Sequence, residues 1–103
     1  MKSSFCEYVV NELMREIPGV TSRAMFGGYG LYKDGKIFGM IANDILYFKV
    51  NDTNKADYER LGSQPFTYEN KGKKYAMSYW EVPQEIQDEP ETLAAWAQKS
   101  LVK

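Results

Sequence analysis

Two turn dipeptides, Asp34-Gly35 and Asn43-Asp44, stand close together with a short apolar run on each side of both. These residue types accept the positive φ that a two-residue hairpin needs at its central positions. The whole segment RAMFGGYGLYKDGKIFGMIANDILYFKV, residues 23–50, leaves room only for short strands joined by such turns. It therefore reads as an antiparallel meander. In Ile45–Val50, Leu46, Phe48 and Val50 fall on one face, while Ile45, Tyr47 and Lys49 fall on the other. The first face needs a cover. The second is neither apolar enough for a deep core nor polar enough for plain solvent.

Cover comes from the flanks. From Ser3 or Ser4, Phe5, Cys6, Val9, Leu13 and Ile17 recur at helical spacing until Pro18-Gly19, which predicts a helix over 4–17. Strands follow at 23–26, 29–33, 37–42 and 45–50, with Gly27, Gly28 and Gly30 suggesting a bulge or bend. Capping side chains at residues 51–54 open a second helix running to Leu61, with Tyr58 and Leu61 facing the sheet. A further hairpin takes 66–69 and 75–82. Asp88 caps a last helix whose inward stripe is Leu93, Trp96, Ala97 and Leu101, with Ser100 at its margin. The order is α-β-β-β-β-α-β-β-α in one domain, 1–103, an α+β fold with a curved antiparallel sheet and helices on one side.

The totals narrow the function. Of 103 residues 44% are hydrophobic and 15% aromatic, a composition that folds rather than stays disordered. Net charge is −1, so no global field draws the chain to phosphate or anionic lipid. No window approaches the roughly 18 apolar residues of a membrane span, and charges interrupt the N-terminus where a signal peptide's apolar core would lie. The single cysteine, Cys6, has no internal partner for a disulfide. A cytoplasmic location is the expectation. Histidine is absent, which removes the commonest general base and metal ligand. The expectation is a non-enzyme with no catalytic residues, metal or cofactor.

Several motifs invite sharper readings. Gly27-Gly28-Tyr29-Gly30 looks like a phosphate loop but hands over to a strand, not to a helix N-terminus. Lys36–Ile41 echoes an RNA-recognition strand, yet Ile37 and Met40 stand where glycine and a stacking aromatic belong. Lys71, Lys73 and Lys74, beside Tyr68 and Tyr75, are the candidate nucleic-acid contact. Five carboxylates from Glu81 to Glu91 serve as caps and first-turn charges, or as a negative patch for a basic partner. Tyrosines supply eight of the fifteen aromatics, and a ring with a hydroxyl suits a surface that is buried only by a partner. Arg23, Tyr47, Lys49, Tyr68 and Tyr79 are the candidate interaction surface.

The strand words Arg23–Gly30, Asp34-Gly35 with Phe38-Gly39, and Leu46–Val50 then carry a resemblance. So do Pro65–Tyr68, Met77–Tyr79, Glu81–Pro83, Leu93 and Trp96. In this fixed order the chain resembles the N-terminal domain of the TfoX (Sxy) family of bacterial competence regulators. The resemblance implies a two-layer, secretion-chaperone-like fold without assigned catalytic residues. It also implies a link to transcription of DNA-uptake genes together with the cyclic-AMP receptor protein, and relatives with a C-terminal helical domain that this chain lacks. The expected function is a regulatory, protein-interaction module, with a transcription regulator or a second copy as partner. The alternatives are nucleic-acid binding through the Lys71–Lys74 hairpin and, third, a small enzyme.

Overall fold

The computed structural model describes residues 4–25 and 28–101, and only the backbone of Met25. Six antiparallel strands form one sheet: β1 (Val20–Met25), β2 (Gly28–Lys33), β3 (Lys36–Ala42), β4 (Ile45–Lys49), β5 (Pro65–Asn70) and β6 (Lys73–Glu81). Their spatial order is β1-β2-β3-β4-β6-β5. Asp34-Gly35, Asn43-Asp44 and Lys71-Gly72 each place both central residues at positive φ, between 52° and 79°. That is the turn whose twist matches a two-residue hairpin.

The meander holds as read from β2 to β4. Beyond it the chain leaves β4 through α2 (Lys55–Arg60), lays down β5 as the sheet edge, and returns β6 into the space beside β4. The end of the first expected strand, Phe26, and Gly27 lie outside the described residues, as does Ser3. Gly28 and Gly30 pair regularly with Met25 and Arg23, so the expected bend is not at these two glycines. The irregularity falls between β2 and β3, where Phe38 is the extra residue and is fully buried. A bulge there lets Phe38 join Leu31 in the core.

The first helix departs from a plain 4–17 helix. α1 (Ser4–Tyr8) passes into a π-helical turn, Val9–Leu13, closed by the Met14 N–H donating to the Val9 carbonyl at 2.9 Å. Leu13 and Met14 are both buried in the core across this turn. Asp88 ends the short α3 (Gln84–Gln87) and accepts a bond from Gln84 Nε2 at 2.9 Å, while α4 (Pro90–Leu101) starts two residues later. Leu61 is exposed, because α2 stops at Arg60 and the chain turns away.

All these helices pack on one face. Cys6, Val9, Leu13, Met14, Ile17, Tyr58, Leu93 and Ala97 meet Leu31, Phe38, Ile41, Leu46, Phe48 and Val82 in a single cluster. Gly39 is the floor under Phe48: a Cβ there would lie 2.7 Å from the Tyr47 carbonyl oxygen and 3.0 Å from the Phe48 ring. Buried Asn54 ties the helical layer to the sheet. It accepts from the Asn51 N–H at 2.7 Å and donates to the Lys49 carbonyl at 3.2 Å, and that carbonyl also takes the Ser100 hydroxyl at 2.7 Å.

Candidate functional site on the open sheet face

Strand alternation fixes what the other face carries. Met40 pairs with Tyr47, Tyr47 with Glu81, and Lys49 with Tyr79, so these side chains share the face that the helices leave open. The sheet curls along it, and burial by the chain's own rings results. Tyr47 is only 8% exposed because Phe66 of β5 meets its ring edge-on at 5.2 Å. Burial, with the Glu81 carboxylate beside it, raises the Tyr47 hydroxyl pKa. Tyr79 is raised too, by burial and by Tyr32, although β3 and β4 lie between their strands.

One end of this face is an apolar groove of about 490 Å³. Gly28, Tyr29, Met40, Ile41 and Ala42 form the β2–β3 side, and Phe66, Tyr68 and Met77 form the β5–β6 side. Gly28 has no room for a side chain, since a Cβ would fall 2.1 Å from the Ile41 carbonyl oxygen. Two thioethers and a phenyl ring make the lining soft and adaptable, with tyrosines at the margins. Such a groove can hold an apolar side chain of a partner. Among the described residues no group of His, Cys, Asp or Glu is arranged to hold a metal ion. No helix among them is long and apolar enough to cross a membrane.

The five residues singled out for contact share this face but not one spot. Arg23 is exposed on β1, its guanidinium 5.3 Å from the Tyr32 ring centre. Lys49 is exposed beside half-buried Tyr79, and Tyr47 lies beneath Phe66. Tyr68 sits at the groove and stacks on Tyr75 at 5.4 Å, with the two rings 44% and 42% exposed. Lys71, Lys73 and Lys74 are exposed at the adjoining hairpin tip. Sequence reasoning overlooked Met40, Phe66 and Met77. The clue was the period-two pattern Phe66/Tyr68 and Tyr75/Met77 on an otherwise polar hairpin.

A sequence profile described as the TfoX N-terminal domain matches residues 12–103. The chain belongs to the TfoX N-terminal domain family. It is also similar to a protein named DNA transformation protein TfoX1 from Aliivibrio fischeri (strain ATCC 700601 / ES114), with 24% identity over 88 residues. That match takes in 85% of this chain and 42% of the relative, so the chain spans less than half of the relative's length. Membership places this TfoX N-terminal domain among competence-related proteins rather than in a known enzyme class.

Proposed function

We propose that this TfoX N-terminal domain is a non-enzymatic interaction module in the regulation of DNA-uptake genes, and that it takes a partner protein into the groove of the open sheet face. The observation behind this reading is the groove itself: about 490 Å³, apolar, on the face without helices, and rimmed by half-exposed tyrosines. Rings of this kind gain most when a second protein removes them from water. Met40, Phe66 and Met77 receive an apolar side chain, Tyr68 covers it, and Lys49, Tyr79 and Arg23 lie further along the same face. Tyr47 shapes the floor. The relative's name, a DNA transformation protein, points to competence as the process.

A photo-crosslinking residue at Tyr68 in living cells tests this. The expected result is an adduct with a transcription regulator, lost in a Met77→Glu variant along with transcription of DNA-uptake genes. No protein adduct together with unchanged transcript levels would overturn the reading. The second reading rests on the stacked Tyr68–Tyr75 pair beside three exposed lysines, which is how single-stranded nucleic acid is gripped. It requires a nucleic-acid adduct whose yield falls steeply with salt.

A further inference from the structure

We propose that two copies of this chain pair through the exposed edge of β5, antiparallel about a twofold axis at Tyr68, joining their sheets into one. The pairing surface is the backbone edge of β5, but Tyr68 at its centre also lines the groove, so the two proposals are told apart by Thr67→Pro, which alters the edge and no groove-lining residue.

Thr67, Tyr68, Glu69 and Asn70 are all exposed, and among the described residues β6 is the strand's one partner in the sheet. Edges that avoid self-pairing carry charged side chains, lysine above all, a proline or a bulge. Residues 66–70 carry no lysine or proline and a single charge, Glu69, and the irregularity in pairing with β6 lies between Pro65 and Thr67, ahead of the regular stretch 67–70. The opposite edge, β1, lies against the π turn of the first helix.

The ladder dictates which groups are available. Asn70 and Lys73 close a two-residue turn and so exchange both hydrogen bonds. Alternation then turns the Tyr68 amide and carbonyl toward Tyr75, while those of Thr67 and Glu69 point outward. Two outward residues flanking one central residue make a self-complementary register. Thr67 of one copy exchanges both bonds with Glu69 of the second copy, and the reverse. The two Tyr68 residues then face each other across the axis in the closely spaced type of pair, continuing the Tyr68–Tyr75 stack of each subunit.

Charge selects the same orientation. Lys71, Lys73 and Lys74 lie at one end of the hairpin, and none of them is in an ion pair among the described residues. At the other end the Glu81 N–H donates to the Gln64 carbonyl at 3.0 Å, and Glu85 and Asp88 follow, with no Lys or Arg from 81 to 91. Antiparallel pairing centred on Tyr68 brings Lys71 of each copy to residues 64–65 of the other, one strand away from its Glu81. A parallel arrangement would set like charges together. The contact is small, so the dimer is concentration-dependent.

Sedimentation of the purified chain over a wide concentration range, with and without added salt, decides the matter. The expected result is a monomer–dimer equilibrium that salt weakens. Thr67→Pro removes an outward N–H from each copy, leaves the bonds to β6 intact, and weakens association about tenfold. Reversing Lys71 and Lys73 to Glu, which leaves Lys74 opposite Glu69 on the neighbouring strand, abolishes it. Adding a Glu81→Lys, Glu85→Lys chain to that variant restores a mixed dimer. Tyr68→Cys gives an intermolecular disulfide on oxidation, because the facing Cα atoms are within bridging range. A monomer at every concentration overturns the proposal, and so does a dimer indifferent to both Thr67→Pro and the lysine reversal.

Discussion

Single atoms decide how closely this protein is packed. At Gly39 the space for a side chain is already taken by the Tyr47 carbonyl and the Phe48 ring. Gly39→Ala therefore displaces backbone on β4 and is expected to cost about 1–3 kcal/mol in chemical denaturation. Tyr58 presents the opposite situation. Its ring is fully buried against Trp96 at 4.6 Å and Trp80 at 6.4 Å. Its hydroxyl lies beside Ser100 without forming a hydrogen bond of sound geometry. Removing that hydroxyl leaves nothing unsatisfied, so Tyr58→Phe is expected to be neutral or stabilising by up to about 1 kcal/mol. Burial also drives the Tyr58 pKa far above its ordinary value. A raised folded-state value means full stability below about pH 10, where unfolded tyrosine titrates, and loss as pH climbs further. Urea titrations at alkaline pH should show a shallower decline in the Phe variant than in the native chain.

Between elements, the junction of α2, α4 and the end of β4 is held by polar side chains. Asp57 accepts from Lys99 at 2.9 Å and from Arg60 at 3.0 Å, and the Lys99 bond leads in holding its carboxyl below the usual carboxylate range. A lowered folded value gives stability present at neutral pH and lost as pH falls through that value. Both cationic partners face water, so the amount is about 0.5 kcal/mol. Asp57→Asn should remove that much at pH 7 and nothing in strong acid, as thermal melts at the two pH values will show. The hairpins were legible because Asp-Gly and Asn-Asp carry their turn geometry in their residue types. The π turn was not. The apolar residues from Cys6 to Ile17 fit the stripe of a regular helix, so no local spacing announces it. Asp88 was read as the last helix's cap for a similar reason: nothing local revealed that residues 84–87 would form a helix of their own.

For the whole molecule, the two faces of the sheet should respond differently to the same kind of change. Met77→Glu alters a half-exposed groove position and should leave the melting temperature nearly unchanged, whereas Leu93→Ala in the core should cost about 2–5 kcal/mol. Comparing their denaturation curves separates a binding surface from a structural one. Tyr47 shows how far such a surface could be read in advance. Alternation put it on the correct face, but its burial depended on β5 curling over it, a contact between strands far apart in sequence. That contact also links the groove to the sheet's weakest seam. β4 and β6 share only three paired positions, Tyr47 with Glu81, Phe48 with Trp80 and Lys49 with Tyr79. Backbone bonds from Val50 to Ser78 and from Val82 to Leu46 extend the seam at either end. The groove's two walls lie on opposite sides of it. A small opening there would widen the cleft as one hinge, so amides along this short zipper should exchange with deuterium before those of the hairpins it joins.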